Sequence, residues 1–145
     1  MKTVDYLVAE NLIRVVYDDS IDIQSSLSSF IDFEVPVEQG AEAIVNIEIV
    51  LEPTDIDLTN AKLLSDVSII WGDRFKFEET EQKYITSVEN ANAKDTEIWR
   101  MVSDKEFRFS KIHIKKQELY DSNILSWLIM VAFGQLKILE SYNSC

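Results

Sequence analysis

His113 is the first side chain in this sequence to consider for acid–base chemistry, because it is the single histidine. It lies in the segment Lys111-Ile-His-Ile-Lys115, where apolar and charged residues alternate as they do in a β-strand. A histidine acts as a general base near neutral pH when a second group orients its ring. The sequence identifies no such group, so we interpret His113 as an ordinary strand residue and predict no catalytic residue.

Metal binding has little support in the sequence. Zinc sites need several cysteine and histidine ligands, and this chain has one of each, Cys145 and His113. The segment Asp55-Ile-Asp-Leu-Thr-Asn60 carries oxygen ligands at alternate positions, as does the start of a calcium-binding loop. It lacks the central glycine, and Asp66 stands where that loop has a glutamate. We predict no metal site and no cofactor.

Two charged clusters have simpler explanations than catalysis or nucleic-acid binding. Glu78, Glu79 and Glu81 are interpreted as the solvated end of a hairpin rather than as paired catalytic acids. The basic residues of the last third alternate with apolar ones, which is typical of some nucleic-acid surfaces and also of a strand with one buried face. We prefer the strand. The basic residues are Lys105, Arg108, Lys111, Lys115 and Lys116, and the apolar ones are Phe107, Phe109, Ile112 and Ile114.

Composition limits the function further. The chain has 145 residues and a net charge of −12, with eleven acids against two bases in residues 1–52. This balance argues against general nucleic-acid binding, which needs clustered lysine and arginine. Gly40, Gly72 and Gly134 are too dispersed to form a phosphate-binding loop. With one cysteine and no signal-peptide pattern, a single cytoplasmic domain is predicted.

The alternation of apolar and polar residues predicts a mainly antiparallel sheet of six to eight strands. The clearest strand is Ala43–Glu52, which ends at Pro53 because proline cannot donate to the sheet. Hairpins are predicted around Glu10-Asn11 and Gly72-Asp73, and Glu89–Asp95 is predicted as a loop. The remaining predictions are a short helix or turn at Ile21–Phe30 and strands at Tyr6–Ala9, Leu12–Tyr17, Leu63–Trp71, Arg74–Glu78, Tyr84–Val88, Glu97–Ser103 and Glu106–Ile114.

The apolar segment Ile124–Leu139 predicts a long C-terminal helix packed on the sheet, with Asp121 or Ser122 capping its first turn. From Ile124 to Phe133 only Ser126 is polar, so more than one side of the helix is apolar. Its sixteen residues are fewer than a membrane span requires, and no membrane association is predicted. The fold class is therefore α+β.

This helix is also the predicted interface. We expect Trp127, Leu128, Met130, Val131 and Phe133 to include the most buried side chains of the domain. One sheet cannot cover a helix that is apolar on several sides, so a further partner has to cover the remainder. Trp127, Leu128, Val131 and Phe133 are the predicted interface residues, and a symmetric homodimer is the expected assembly.

From Tyr84 onward the order of features resembles the N-terminal module of bacterial HPr serine kinase-like proteins. That module closes with a Tyr…Trp-x-Met/Leu-x-x-Asp-x-x-Phe stretch and an apolar helix of the Asn-x-Leu-x-x-Leu-x-x-x-Phe kind. In the family a strand with a His-Ala/Ser-Ser motif and a phosphate loop follow, and this sequence ends about where that strand begins. The matching residues are Tyr84, Trp99, Met101, Asp104, Phe107, Asn123, Trp127, Leu128, Met130 and Phe133.

The resemblance implies that residues 1–145 are a single β-rich accessory domain without the P-loop kinase domain. It implies a non-catalytic, partner-binding or regulatory module, whose partner is another protein or a C-terminal kinase domain missing from this chain. Two alternatives remain from the residues themselves. One is a small acidic inhibitor or immunity-type protein that docks a basic partner. The other is a small-molecule-binding domain with its pocket between sheet and helix.

Overall fold

The computed structural model describes residues 1–68, 73–90, 97–114 and 122–143. Within these ranges the chain forms an α+β fold with one open sheet of nine strands and a long C-terminal helix. The strands are β1 (Lys2–Val8), β2 (Asn11–Tyr17), β3 (Glu34–Val35), β4 (Val45–Val50), β5 (Lys62–Ser68), β6 (Asp73–Glu79), β7 (Lys83–Asn90), β8 (Glu97–Asp104) and β9 (Phe109–Ile114). The helices are α1 (Ile23–Ser26), a 3₁₀ helix (Ser28–Phe33) and α2 (Ser122–Asn143).

The strand order is β3-β1-β2-β4-β9-β8-β7-β6-β5. Six of the eight strand pairings are antiparallel, and the two parallel pairings join β4 to β2 and to β9. The predicted fold class, mainly antiparallel sheet with a C-terminal apolar helix, is therefore confirmed. The predicted number of strands was too low, because the two-residue strand β3 gives no alternation pattern in the sequence.

The first hairpin turns through Ala9 and Glu10, one residue earlier than predicted. Both residues have positive φ angles, 49° and 67°, which is the backbone of a tight two-residue turn that matches the twist of paired strands. The Asn11 side chain donates a hydrogen bond of 2.7 Å to the Ala9 carbonyl and fixes this turn. The strand pair itself is confirmed.

The loop between β8 and β9 corrects a second boundary. The strand predicted from Glu106 starts only at Phe109, because Phe107 has a φ of 56° and lies in a turn. The Asp104 carboxylate accepts hydrogen bonds from the backbone N–H groups of Arg108 and Phe109, at 2.9 and 3.1 Å. The first two residues of the predicted loop Glu89–Asp95 belong to β7, which continues through Asn90.

The sheet has two different faces. Along β4, Val45, Ile47 and Ile49 are buried, whereas Asn46 and Glu48 between them are partly exposed. Because paired residues on neighbouring strands lie on the same side of the sheet, this alternation continues across its central strands. We call the buried side the covered face and the other side the open face.

The covered face holds the hydrophobic core. The 3₁₀ helix packs there through Phe30, whose ring centroid lies 5.4 Å from that of Tyr6, and Leu27 beside it is completely buried. Helix α2 crosses the same face and contacts β4, α1 and the 3₁₀ helix. Burying a large aliphatic or aromatic side chain contributes about 1.5–3 kcal/mol, so this layer dominates the stability of the fold.

Helix α2 has 22 residues and is about 33 Å long. The prediction that it is too short for a membrane span was therefore wrong, because the helix extends beyond the apolar segment at both ends. Among the described residues, α2 is the one helix that is long and apolar enough to cross a membrane, through its segment Ile124–Ser141. A third of that segment is buried in the fold, and a single helix of this kind does not by itself indicate a membrane protein.

Candidate functional site

Helix α2 carries two apolar stripes. The inner stripe is Leu125, Leu128, Ile129, Ala132 and Leu136, and each of these side chains is buried. The outer stripe is Trp127, Met130, Val131, Gly134 and Ile138, which has the same i, i+3, i+4, i+7, i+11 spacing shifted by two residues. A shift of two residues turns about 200° around the helix axis, so the stripes lie on opposite sides.

The outer stripe is accessible. Met130 is 44% exposed and Ile138 is 60% exposed, although both side chains are large and apolar. A Cβ atom added to Gly134, between them along the stripe, would meet no atom within 4 Å. Trp127 and Val131 are partly buried and pack against the core at the helix's first turns.

Trp127 anchors the start of the outer stripe to the sheet. Its ring centroid lies 4.1 Å from that of Phe75 in β6, with the two rings inclined by 52°. Aromatic pairs typically add about 0.5–1.5 kcal/mol beyond the area they bury. Phe75 holds one side of the indole ring in place. The other side of the ring is therefore held in a fixed position beside Met130 and Val131.

The four predicted interface residues occupy different environments. Leu128 is completely buried and belongs to the inner stripe, so it supports the fold. Trp127, Val131 and Phe133 are partly buried against the core. The expectation that Met130 is deeply buried was wrong, because it faces away from the sheet on the outer stripe.

The spacing that reveals the outer stripe is present in the sequence, and sequence reasoning still missed Ile138 and Gly134. The high apolar content of the segment Ile124–Leu139 predicts a helix that is apolar on several sides, whereas the apolar residues divide into two stripes. Which stripe packs on the sheet depends on tertiary contacts.

The predicted helix cap at residue 121 lies outside the described residues, as do the predicted turn at residue 72 and the loop residues 91–95.

A second surface lies on the open face, where a cavity of about 610 Å³ is formed over β2, β4, β8 and β9. Its floor includes Val16, Glu48, Lys111 and Val102, which are consecutive cross-strand neighbours on these four strands. Thr54 and Asp55, from the segment that follows β4, form a wall. The cavity opens on the opposite side of the sheet from the helices.

His113 lines this cavity but is held by the backbone. Its Nδ1 atom is 3.2 Å from the Glu52 carbonyl oxygen. Burial lowers the pKa of His113 below its ordinary value, and the Glu52 carbonyl opposes this shift. In the described part of the chain, no hydrogen bond joins the His113 ring to a hydroxyl or thiol group, and we interpret His113 as part of the cavity wall.

The other candidate residues have structural partners. Glu79 forms an ion pair of 2.9 Å with Lys105, whose ammonium group lies 4.2 Å above the Tyr84 ring. Lys105 lowers the pKa of Glu79 through this contact. Glu78 is on the opposite side of β6, so the two glutamates do not form a catalytic pair.

The basic segment follows the predicted two-sided strand only in part. Ile112 and Ile114 are buried and Lys111 is partly exposed, as expected. Phe109 contradicts the pattern, because it is 63% exposed on the open face, while Phe107 is buried in the preceding turn. Lys115 and Lys116 lie outside the described residues.

The segment Asp55–Asn60, whose alternate oxygen ligands are typical of the start of a calcium-binding loop, contains an ordinary turn. The Asp57 carboxylate accepts hydrogen bonds from the backbone N–H and the hydroxyl of Thr59, and these lower the pKa of Asp57. In the described ranges, no group of three or more histidine, cysteine, aspartate and glutamate side chains has metal-binding geometry.

No family model, curated protein or solved structure matches the chain. The family resemblance stays a prediction.

Proposed function

We propose that this chain is a non-catalytic protein-binding module that contacts its partner through the outer stripe of α2. One observation carries the proposal: α2 repeats the spacing of its core stripe on the side that the fold leaves accessible. Exposed apolar surface on a soluble protein usually marks an interaction site when it is contiguous. The accessible part of the outer stripe runs from Met130 past Gly134 to Ile138 along one side of a single helix.

The stripe has the properties of a helix-binding surface. Gly134 lacks a side chain midway between the exposed Met130 and Ile138, which lets another helix or strand approach the backbone closely. Each methylene group that a partner buries there contributes about 0.8 kcal/mol. Lys137 and Glu140 form an ion pair of 3.0 Å next to the stripe and supply a polar rim.

The partner that the family resemblance suggests is a kinase-like domain beside this cytoplasmic module. Where that domain does not cover the stripe, a second copy of the chain is the expected occupant. A two-fold dimer places the same stripe on both sides of the contact, so the apolar residues of each copy bury those of the other.

The proposal excludes phosphotransfer by this chain alone. A phosphate-binding loop needs closely spaced glycines followed by a lysine, and Gly40, Gly72 and Gly134 are far apart in the sequence. Titration with ATP should therefore give no saturable heat. Micromolar ATP affinity would contradict the non-catalytic proposal.

Methyl NMR tests where the chain associates. With labelled isoleucine and methionine methyl groups, Ile138 and Met130 should shift or broaden as the protein is concentrated from the range where it is monomeric into the range where it dimerises. Ile31 and Met1 are matched controls, since they are 48% and 59% exposed and lie outside α2. Equal changes at all four methyl groups, or changes only at the controls, would contradict the proposal.

A second candidate function uses the acidic half of the chain. Between residues 31 and 38, the large side chains of Ile31, Phe33 and Val37 are 44–50% exposed. The acids Asp32, Glu34 and Glu38 alternate with them and are also exposed. This surface suits a basic partner with apolar side chains, as expected for a small acidic inhibitor-type protein.

Salt dependence separates the two candidates. Binding of a basic partner to the 31–38 surface should weaken steeply with salt and shift the Ile31 methyl signal, whereas contacts of the outer stripe should be nearly insensitive to salt. A salt-insensitive complex that shifts Ile138 alone would exclude the acidic surface as the main interface.

A further inference from the structure

The open-face cavity has an unusual combination of charges for this acidic chain. Apart from His113, four of the described lining side chains are ionisable and balanced: Glu48 and Asp55 are acidic, and Lys83 and Lys111 are basic. The ammonium group of Met1, which also lines the cavity, is already paired with Asp19 at 3.0 Å. The chain as a whole has 26 acids and 14 bases. A balanced cavity therefore differs from the average surface of this protein and suits a ligand without net charge.

These charges are not satisfied by each other. Glu48 and Lys111 are direct cross-strand neighbours in β4 and β9. Nevertheless, none of the four charged side chains has a hydrogen bond or ion pair within the described part of the chain. A carboxylate and an ammonium group that lie side by side can each accept the opposite group of a bound molecule.

The apolar part of the cavity is adjacent to these charges. Val16 and Val102 lie on either side of the Glu48–Lys111 pair in the same cross-strand row. Phe109 stands at the cavity edge and leaves 63% of its surface in solvent, although it is in a strand. An exposed aromatic ring at the edge of a pocket is a common contact for an apolar or aromatic ligand group.

We propose that the open-face cavity binds a small zwitterion of the α-amino-acid class with an apolar or aromatic side chain. Its ammonium group pairs with Glu48 and Asp55, its carboxylate pairs with Lys111 and Lys83, and its side chain packs on Phe109 and the two valines. The cavity volume of about 610 Å³ lies within the range of small-ligand sites, which is roughly 300–1,000 Å³. This site is independent of the outer stripe, because it lies on the other side of the sheet from α2.

Calorimetry on the full chain tests the proposal with four related probes. L-phenylalanine carries both charges, phenylalanine amide only the positive one, N-acetylphenylalanine only the negative one, and N-acetylphenylalanine amide neither. The zwitterion should bind at least about tenfold more tightly than each of the others, because charge-assisted hydrogen bonds are lost with each blocked group. Glycine should bind more weakly than phenylalanine.

Variants locate the site. Glu48→Gln and Lys111→Gln should each weaken phenylalanine binding by about tenfold, whereas Glu10→Gln, at the exposed hairpin turn outside the cavity, should not change it. Unchanged melting temperatures would show that all three variants fold. The proposal is overturned if phenylalanine shows no saturable binding, if a singly charged probe binds equally well, or if Glu48→Gln and Lys111→Gln leave the affinity unchanged.

Discussion

Leu128 and Ile138 are both large aliphatic residues of α2, yet Leu128 is completely buried and Ile138 is 60% exposed. They belong to two stripes with the same spacing on opposite sides of one helix. The inner stripe is apolar because it packs against the sheet. In the outer stripe, Trp127 and Val131 pack against the core, whereas Met130 and Ile138 are exposed, so the fold alone does not explain why these two residues are apolar.

The two faces of the sheet show the same contrast. Ile112 and Ile114 point into the core, whereas Phe109 and Lys111 of the same strand line the open-face cavity. Hydrophobic side chains on the covered side follow from folding alone. Exposed hydrophobic side chains, such as Phe109 on the sheet and Ile138 on α2, do not belong to the core and mark the surfaces where we expect binding.

The largest effect expected is on the inner stripe. Leu128→Ala should lower the free energy of unfolding by about 2–5 kcal/mol, because it leaves a cavity among buried side chains. Ile138→Ala is the matched control and should change the stability by less than about 0.5 kcal/mol when measured at concentrations where the chain is monomeric. Urea melts of both variants measure this difference. Equal losses would mean that the two stripes are packed alike.

Gly134→Ala should have a smaller effect of the opposite sign. An interior helical glycine is less favourable than alanine by about 0.5–1 kcal/mol, and the new Cβ atom would meet nothing within 4 Å. The monomer should therefore become more stable by that amount in urea melts. A loss of stability would show that this part of the outer stripe is covered, and would remove the contrast between the stripes.

The smallest effect expected is at His113, on the open face. Burial lowers its pKa below 6.5 in the folded chain, so the unfolded chain takes up a proton first as the pH falls. The stabilising contribution is complete above pH 6.5 and is lost between 6.5 and the lower folded pKa. His113→Gln should therefore show a shallower loss of stability over that range than the original chain. A steeper loss would mean that protonated His113 is favoured by the fold.

Local patterns in the sequence were sufficient for much of the fold. The alternation of apolar and polar residues around Ile47 predicts β4, and the run of apolar residues after Ser122 predicts α2. Both patterns are contained in neighbouring residues. The turn at Phe107 was missed, since it depends on a positive φ angle that phenylalanine rarely adopts. The exposed position of Phe109 follows from its register in β9, where it alternates with the buried Ser110 and Ile112.

The candidate sites were less predictable because they combine distant parts of the chain. The cavity joins Val16, Glu48 and Lys111 through the parallel pairings of β4 with β2 and β9, which no local pattern specifies. The two stripes of α2 could be read from residue spacing. Only the contacts with the sheet decide that Leu128 faces inward and Ile138 outward.

Sedimentation velocity at tens of micromolar tests the central claim, that the outer stripe of α2 is a protein interface. The original chain should sediment as a homodimer, and the double variant Met130→Glu, Ile138→Glu should sediment as a folded monomer, because two charges cannot be buried in an apolar contact without large cost. Replacing the equally exposed Ile31 and Val37 by glutamate should leave the dimer intact. A monomeric original chain, or a dimer that survives the α2 double variant, would contradict this account.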